Sequence, residues 1–274
     1  MKTKVRVPPL LLASFALYLI FARQSAVAAA GDENWDAQFG VPGADGPIAA
    51  ITVLGNNIYF GGSFSSIGGI SANNIAKWDG TSWSALGLGI GGPIAAVVAS
   101  GSDLFAGGGF NEAGGIPAKS IAKWDGTNWF GLAAGVDGNV SSLEVLGGDL
   151  FVSGSFNSAG GLAVSNIARW DGIGWSDVGG GFDGPVTVLL VIDNSLYAGG
   201  SFGRAGSTIA ANIAKWDGTN WLSLGSSLPV SPSAIAGSDS FLHAYSSVYD
   251  GSDDPYQFMI STSDGGNWLT AVDG

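Results

Sequence analysis

Apolar and polar positions change period several times along this chain, and the changes recur. Pro47 to Leu54 is an almost unbroken apolar run, which predicts a buried strand. Asn56-Asn57 breaks it, and Ile58-Tyr59-Phe60 resumes it up to Gly61-Gly62. A polar, glycine-rich stretch of about ten residues follows. Asn74-Ile75-Ala76-Lys77-Trp78 then alternates with period two, as a half-buried strand does. Asp79-Gly80 is a turn pair, because glycine supplies the positive φ that tight turns need. Trp83-Ser84-Ala85-Leu86 makes a fourth short strand. The pattern thus predicts four strands in about 45 residues.

The same unit returns at fixed spacing. Ile75-Ala76-Lys77-Trp78-Asp79-Gly80 matches the segments beginning at Ile121, Ile167 and Ile213, so Trp78, Trp124, Trp170 and Trp216 stand 46 residues apart. Gly61-Gly62-Ser63-Phe64 recurs with the same step as Gly107-Gly108-Gly109-Phe110, Ser153-Gly154-Ser155-Phe156 and Gly199-Gly200-Ser201-Phe202. Four strands in a repeat of this length is the size of a propeller blade. A fifth, degraded unit follows. Its strands are expected at Ser233–Ala236, Phe241–Tyr245 and Tyr256–Ile260, with a last strand at Trp268. At the other end, Trp35 to Gly40 matches a fourth strand without its first three. The expectation is an all-β propeller of about five four-stranded blades, in which the strand at Asn34–Phe39 pairs with the last blade and clasps the ring. A longer propeller is the alternative.

Units one to four resemble the kelch repeat: an apolar strand ending in Gly-Gly, a loop, a strand ending in aromatic-Asp, a turn and a Trp. Tyr197-Ala198-Gly199-Gly200 with Trp216-Asp217 and Trp221 is the cleanest example. The resemblance spans about residues 34–272 and implies a propeller similar to that of galactose oxidase, in the glycine-rich variant of exported bacterial proteins. Trp-Asp-Gly stands where Tyr-Asp-Pro is common in that family. The copper site of the oxidase does not carry over, because it needs a cysteine and several histidines, whereas this chain has no Cys and a single His, His243. Ser263 to Trp268 is similar to a sialidase Asp-box one residue short, which is a structural turn.

Composition narrows the chemistry. Of 274 residues, 46 are Gly, so tight turns are favoured over long helices. The absence of cysteine excludes disulfides, iron–sulfur clusters and thiolate metal sites. The first residues carry Lys2, Lys4 and Arg6, then an apolar run to Ala22, then Ala26-Val27-Ala28. These are the three parts of a secretory signal peptide, which places cleavage after Ala28 and the mature domain at 29–274, secreted, periplasmic or at the cell surface. The mature chain keeps six basic residues against 22 acidic ones and repels phosphate backbones, so nucleic acid is excluded as a partner. No second apolar stretch is long enough to span a membrane. The chain is read as a monomer that binds protein or glycan and needs no cofactor, with calcium as the one exception considered.

Residues shared by all units are read as blade structure: the tryptophan pairs as packing between blades, and Asp79, Asp125, Asp171 and Asp217 as turn formers. Function is expected where the units differ, on the loops. The long loops Ser65–Asn73, Asn111–Ser120, Asn157–Ser165 and Gly203–Ala211 are mostly Gly, Ala and Ser, with Glu112, Lys119 and Arg204 as their charges. On the same face Asp45-Gly46, Asp137-Gly138 and Asp183-Gly184 share one repeat position, with Gly91-Gly92 as the exception. Three carboxylates converging on a channel mouth would suit calcium, and their repulsion would raise at least one pKa; the alternative is a simple turn pair. Asp250, Asp253 and Asp254 have the spacing of the start of a calcium loop, but Ser261 stands at the closing position. A solvated acidic loop is the other reading. Two functions stay open. One is a non-catalytic binding or structural module, with Asp45, Asp137, Asp183, Glu112 and Arg204 as candidate binding residues. The other is a carbohydrate-active enzyme, a glycosidase or lyase, which needs paired carboxylates in a cleft.

Overall fold

Every repeat predicted from the sequence is one antiparallel four-stranded sheet in the computed structural model. The structure describes residues 43–225, 228, 230–238, 241–248, 257–263 and 268–273. Residues 44–274 form one compact unit. The predicted signal peptide, the strand at 34–39 and the Asp250–Asp254 loop lie outside the described residues.

The first sheet runs Ile48–Leu54, Asn57–Gly62, Ile75–Trp78 and Trp83–Ala85, each strand paired with the next. The second is built from Ile94–Ser100, Asp103–Gly108, Ile121–Trp124 and Trp129–Gly131. The third contains Asn139–Leu146, Asp149–Ser155, Ile167–Trp170 and Trp175–Ser176, and the fourth Val186–Ile192, Ser195–Gly200, Ile213–Trp216 and Trp221–Ser223. The degraded unit also completes a sheet, with strands Ala234–Ser238, Phe241–Val248, Gln257–Ser263 and Trp268–Asp273. The innermost strands pack in series, the first sheet on the second and so on to the fifth. These are blades of a β-propeller, and described residues contain no helix long and apolar enough to cross a membrane.

Three devices lock one blade to the next. The first is apolar: Tyr59 and Ile75 of the first sheet are buried with Ile94 and Leu104 of the second, and the arrangement recurs with Phe105 and Ile121 against Val140 and Leu150. The second is the indole ladder. Nε1 of Trp129 donates to the Leu86 carbonyl at 2.9 Å, Trp175 to Leu132 at 3.1 Å and Trp221 to Val178 at 3.0 Å, each time one blade back. Within a blade the two tryptophans meet at 5.1–5.3 Å between ring centroids in a tilted geometry. The third is close approach at the Gly-Gly pair. A Cβ on Gly61 would stand 2.8 Å from Ile94 of the next blade, and one on Gly62 would stand 2.2 Å from the Pro47 carbonyl oxygen. Only glycine admits both contacts.

Two expectations are corrected here. The long loops are not irregular: each folds as a two-residue-per-strand hairpin, Ser66–Ile67 with Ile70–Ser71 in the first blade and Glu112–Ala113 with Ile116–Pro117 in the second. Paired glycines close three of these hairpins in the left-handed region, as at Gly68 and Gly69 with φ of 61° and 78°, and Gly206 alone does so in the fourth. Ala113, Ala159 and Ala205 bridge to Ile90, Val136 and Phe182 on the incoming blade connection, so a small buried residue is what the hairpin needs. The other correction concerns the first strand of blade one, expected to be buried. Ile51 is 38% and Val53 61% exposed, while Leu143 and Leu189 at the position of Ile51 are buried. Later blades cover these positions with the blade before them, and no described residue does so for the first.

One blade departs from the rule in its core. Ser153 replaces the first glycine of the pair, and its hydroxyl is fully buried without a hydrogen-bond partner among the described residues. Ser142 lies opposite it in the ladder, and Glu144 is two residues along on the same face. Glu144 is the one charge on the five innermost strands, and burial pushes its carboxyl from the ordinary 4.5 up to about 7.

Three predictions follow from these contacts. Trp129→Ala is expected to cost about 3–5 kcal/mol in urea unfolding, and Trp129→Phe about 1–2 kcal/mol for the indole N–H alone. No loss in Trp129→Phe would show that the ladder bond contributes nothing. Ser153→Ala removes an unpartnered buried hydroxyl and is expected to raise stability by about 1 kcal/mol; a loss of that size would show that the hydroxyl is satisfied in solution. For Glu144 the folded pKa lies above the unfolded one, so the native state holds the extra proton between them. Stability is therefore full below pH 4.5, declines as pH rises toward about 7, and is level above it. Unfolding midpoints measured across that window should lose this component in Glu144→Gln, and an unchanged slope would refute it.

Candidate functional site

The end of the blades that carries the hairpins also carries the blade connections, and the aspartates singled out by repeat position lie there. Each holds down the hairpin of its own blade. Asp45 Oδ1 accepts the N–H groups of Ser65 and Ser66 at 2.8 and 3.0 Å, and the Ser65 hydroxyl donates to its other oxygen. Asp137 accepts from Asn157 and Ser158 at 2.9 and 2.8 Å, and Asp183 from Gly203 and Arg204, both at 2.9 Å. These bonds span 20 or 21 residues and fix the connection to the hairpin start.

This geometry reverses the electrostatics expected from the sequence. The Ser65 hydroxyl and the two N–H groups hold the Asp45 carboxyl well below the usual carboxylate range. At Asp137 burial pushes upward, and the Ser158 and Asn157 N–H bonds outweigh it, leaving the pKa lowered. Mutual repulsion does not raise either. Among the described residues no three His, Asp or Glu side chains form a group that could hold a metal ion. The second set of aspartates behaves as anticipated: Asp79, Asp125, Asp171 and Asp217 each accept the N–H groups two and three residues on. The following glycines have φ between 95° and 100°.

Gly91 breaks the pattern and thereby opens a pocket. Its N–H still donates to the Glu112 carbonyl at 2.9 Å, but no carboxylate fills the space above. The pocket has a volume of about 510 Å³ and lies between the first two blades. Asp45, Glu112, Asn73 and Ser65 supply its polar lining, with Leu88 and Ile90 on its apolar side. Two predicted binding residues, Asp45 and Glu112, thus meet at one site. Asp137 and Asp183 belong to other blades, and exposed Arg204 folds its guanidinium onto the Ser207 carbonyl at 2.8 Å.

Sequence reasoning passed over the asparagines that shape this region. Asn74 sits in the left-handed region with φ 64°, accepts the Phe64 N–H and donates from Nδ2 to the Ile90 carbonyl at 2.7 Å. Asn166 and Asn212 repeat the donation to Phe182 and Leu228. The signal was an Asn before Ile-Ala in three units of four. His243, on the second strand of the fifth sheet, is half-buried with its pKa lowered by burial, and it lies in a different blade from the pocket.

Comparison with known proteins bears on the fold. No family model and no curated protein sequence matches this chain. Among solved structures it is similar to the WD40 β-propeller domain of Doa1, with 15% identity and a TM-score of 0.56 over 84% of this chain and 70% of that one. It is also similar to YjhT, at 14% identity and a TM-score of 0.53 over 84% and 85%. The computationally designed Ika8 protein aligns at 14% identity and a TM-score of 0.50, covering 85% and 74%. Likeness at this identity speaks for architecture alone, and with the five four-stranded sheets it makes this chain a β-propeller.

Proposed function

We propose that this chain is an exported, non-catalytic binding module of kelch-like type, and that the pocket between its first two blades receives a protein or glycan ligand. One observation carries the reading. The carboxylates that recur on the hairpin face are consumed in backbone hydrogen bonds, and the face becomes receptive only where the aspartate is replaced by Gly91. A catalytic pair needs one carboxyl free to gain and lose a proton near neutral pH. Asp45 cannot take that role, because three donors hold it ionised, and they engage both of its oxygens in the hairpin, which leaves it poorly placed to act as base or nucleophile beside Glu112. The lining suits recognition instead: acceptors from Asp45 and Glu112, the Asn73 amide, and apolar contact from Leu88. The leader-like first 28 residues support export, and the monomeric state is part of the same proposal.

The test uses residues 29–274 against immobilised glycan and peptide panels. Saturable binding of at least one ligand is expected, weakened about tenfold or more by Glu112→Ala, a loss of about 1.4 kcal/mol. Gly91→Asp supplies the missing hairpin carboxylate. A Cβ there meets nothing nearer than Glu112 Cβ at 3.4 Å, so the fold should tolerate it while the pocket closes. Binding untouched by both substitutions, or turnover of a glycosidic substrate, would overturn the proposal.

A further inference from the structure

At the opposite end of the strands, between the second and third blades, lies a groove of about 280 Å³. Asp103 opens the second strand of blade two, Lys123 lies on its third, Asp125 in the following turn, and Phe130 on its outermost strand. Trp170 of blade three forms the facing wall. Repeat positions show how unusual this is. The residue paired with the third-strand cation is Ser84, Ser176 or Leu222 in the other blades, and only blade two places an aromatic there. Phe130 is 43% exposed, an aromatic face left in water beside two carboxylates. The Asp–cation pair itself recurs, since Arg169 and Asp149 meet at 3.4 Å in blade three, so the phenylalanine is what sets this groove apart.

We propose that this groove is a carbohydrate subsite for one neutral sugar ring, stacked on Phe130 and hydrogen-bonded by Asp103, Lys123 and Asp125. Charge decides between ligand classes. Lys123 Nζ already sits 3.0 Å from Asp103 Oδ2 and 5.8 Å from the Phe130 ring centre. A cationic peptide side chain would compete with that ammonium for both the carboxylate and the ring. An anionic ligand would face Asp103 and Asp125 together. A neutral polyol uses everything present, because its hydroxyls donate to the carboxylates, accept from Lys123 and leave an apolar C–H face for the aromatic ring. The volume lies at the small end of ligand pockets, which fits a single ring of a longer glycan. This deepens the glycan side of the binding reading, at a site on the other face from the Gly91 pocket.

The experiment titrates residues 29–274 with cellobiose, diacetylchitobiose and maltotriose up to about 20 mM, in the range of millimolar dissociation constants. The chemical shift of the Trp170 indole N–H reports on the groove, and saturation-transfer NMR on the sugars. A hexa-arginine peptide is the competing probe. Saturable binding of at least one sugar is expected, weakened about tenfold or more by Phe130→Ala. Phe130→Trp should restore it, because the platform is kept, and Leu222→Ala, at the same outermost-strand position of blade four and equally exposed, should leave it unchanged. Melting curves of the Phe130 variants should overlay the parent, since the side chain is exposed. No saturable response to any of the three sugars would overturn the subsite, as would a response to the peptide alone. Equal loss in Gly91→Asp would assign the sugar to the other face, overturning this site while leaving the module reading intact.

Discussion

A backbone carbonyl on one blade accepts an indole N–H from the next, and the rest of the architecture depends on that joint. The bond forms only if neighbouring sheets approach closely enough for the tryptophan to span them. In blades one and two that approach rests on the glycines of the second strand, where a Cβ would strike Ile94 or Val140 of the following blade, and blade three makes the same joint with the small Ser153. Glycine there carries an entropic cost, and the buried surface it admits offsets it. The large residues next to it, Tyr59, Phe105, Phe151 and Tyr197, exist to fill the space between sheets. So the composition that first argued against long helices is also the composition that lets β-sheets stack.

Hydrogen-bond satisfaction organises the two ends of the blades in different ways. At the turn end, each Asp-Gly closes locally, with the carboxylate serving N–H groups two and three residues away. At the hairpin end the carboxylates reach 20 residues along the chain and tie together segments that would otherwise meet water with unpaired donors. Repetition therefore consumes charge. Among the described residues the repeat departs from its own pattern at Gly91 on one face and at Phe130 on the other, and a cavity lies at each.

The strands and their order were legible because three signals coincide: a 46-residue step without insertions, a glycine pair ending one strand, and tryptophans flanking a turn. The hairpins were not legible. Asn111 to Ser120 has neither the length nor the β-branched content of a strand, and its two-residue ladder is held by the bridge from Ala113 to Ile90 on the preceding connection, a contact that local pattern does not encode. The aspartates at 45, 137 and 183 were located on the blade connections, and Asp45 and Asp137 were misread electrostatically. Sequence shows that they share a position, but not that two N–H groups await each of them. The pocket was foreshadowed by its own exception: Gly91 stood out as a gap in a ring, and the structure makes it the opening of a cavity. Phe130 was legible only by comparing the outermost strands of successive units.

Each joint between blades is made of the same two half-faces, one supplied by the tail of a repeat and one by the head of the next. A genetic crossover displaced by one unit would insert or delete 46 residues and preserve the tryptophan-to-carbonyl bond seen at three described joints. Such a chain can lengthen or shorten by whole blades without any interface being redesigned. The fifth unit, whose sequence has drifted while its four strands persist, shows how far a blade can diverge and still complete its sheet.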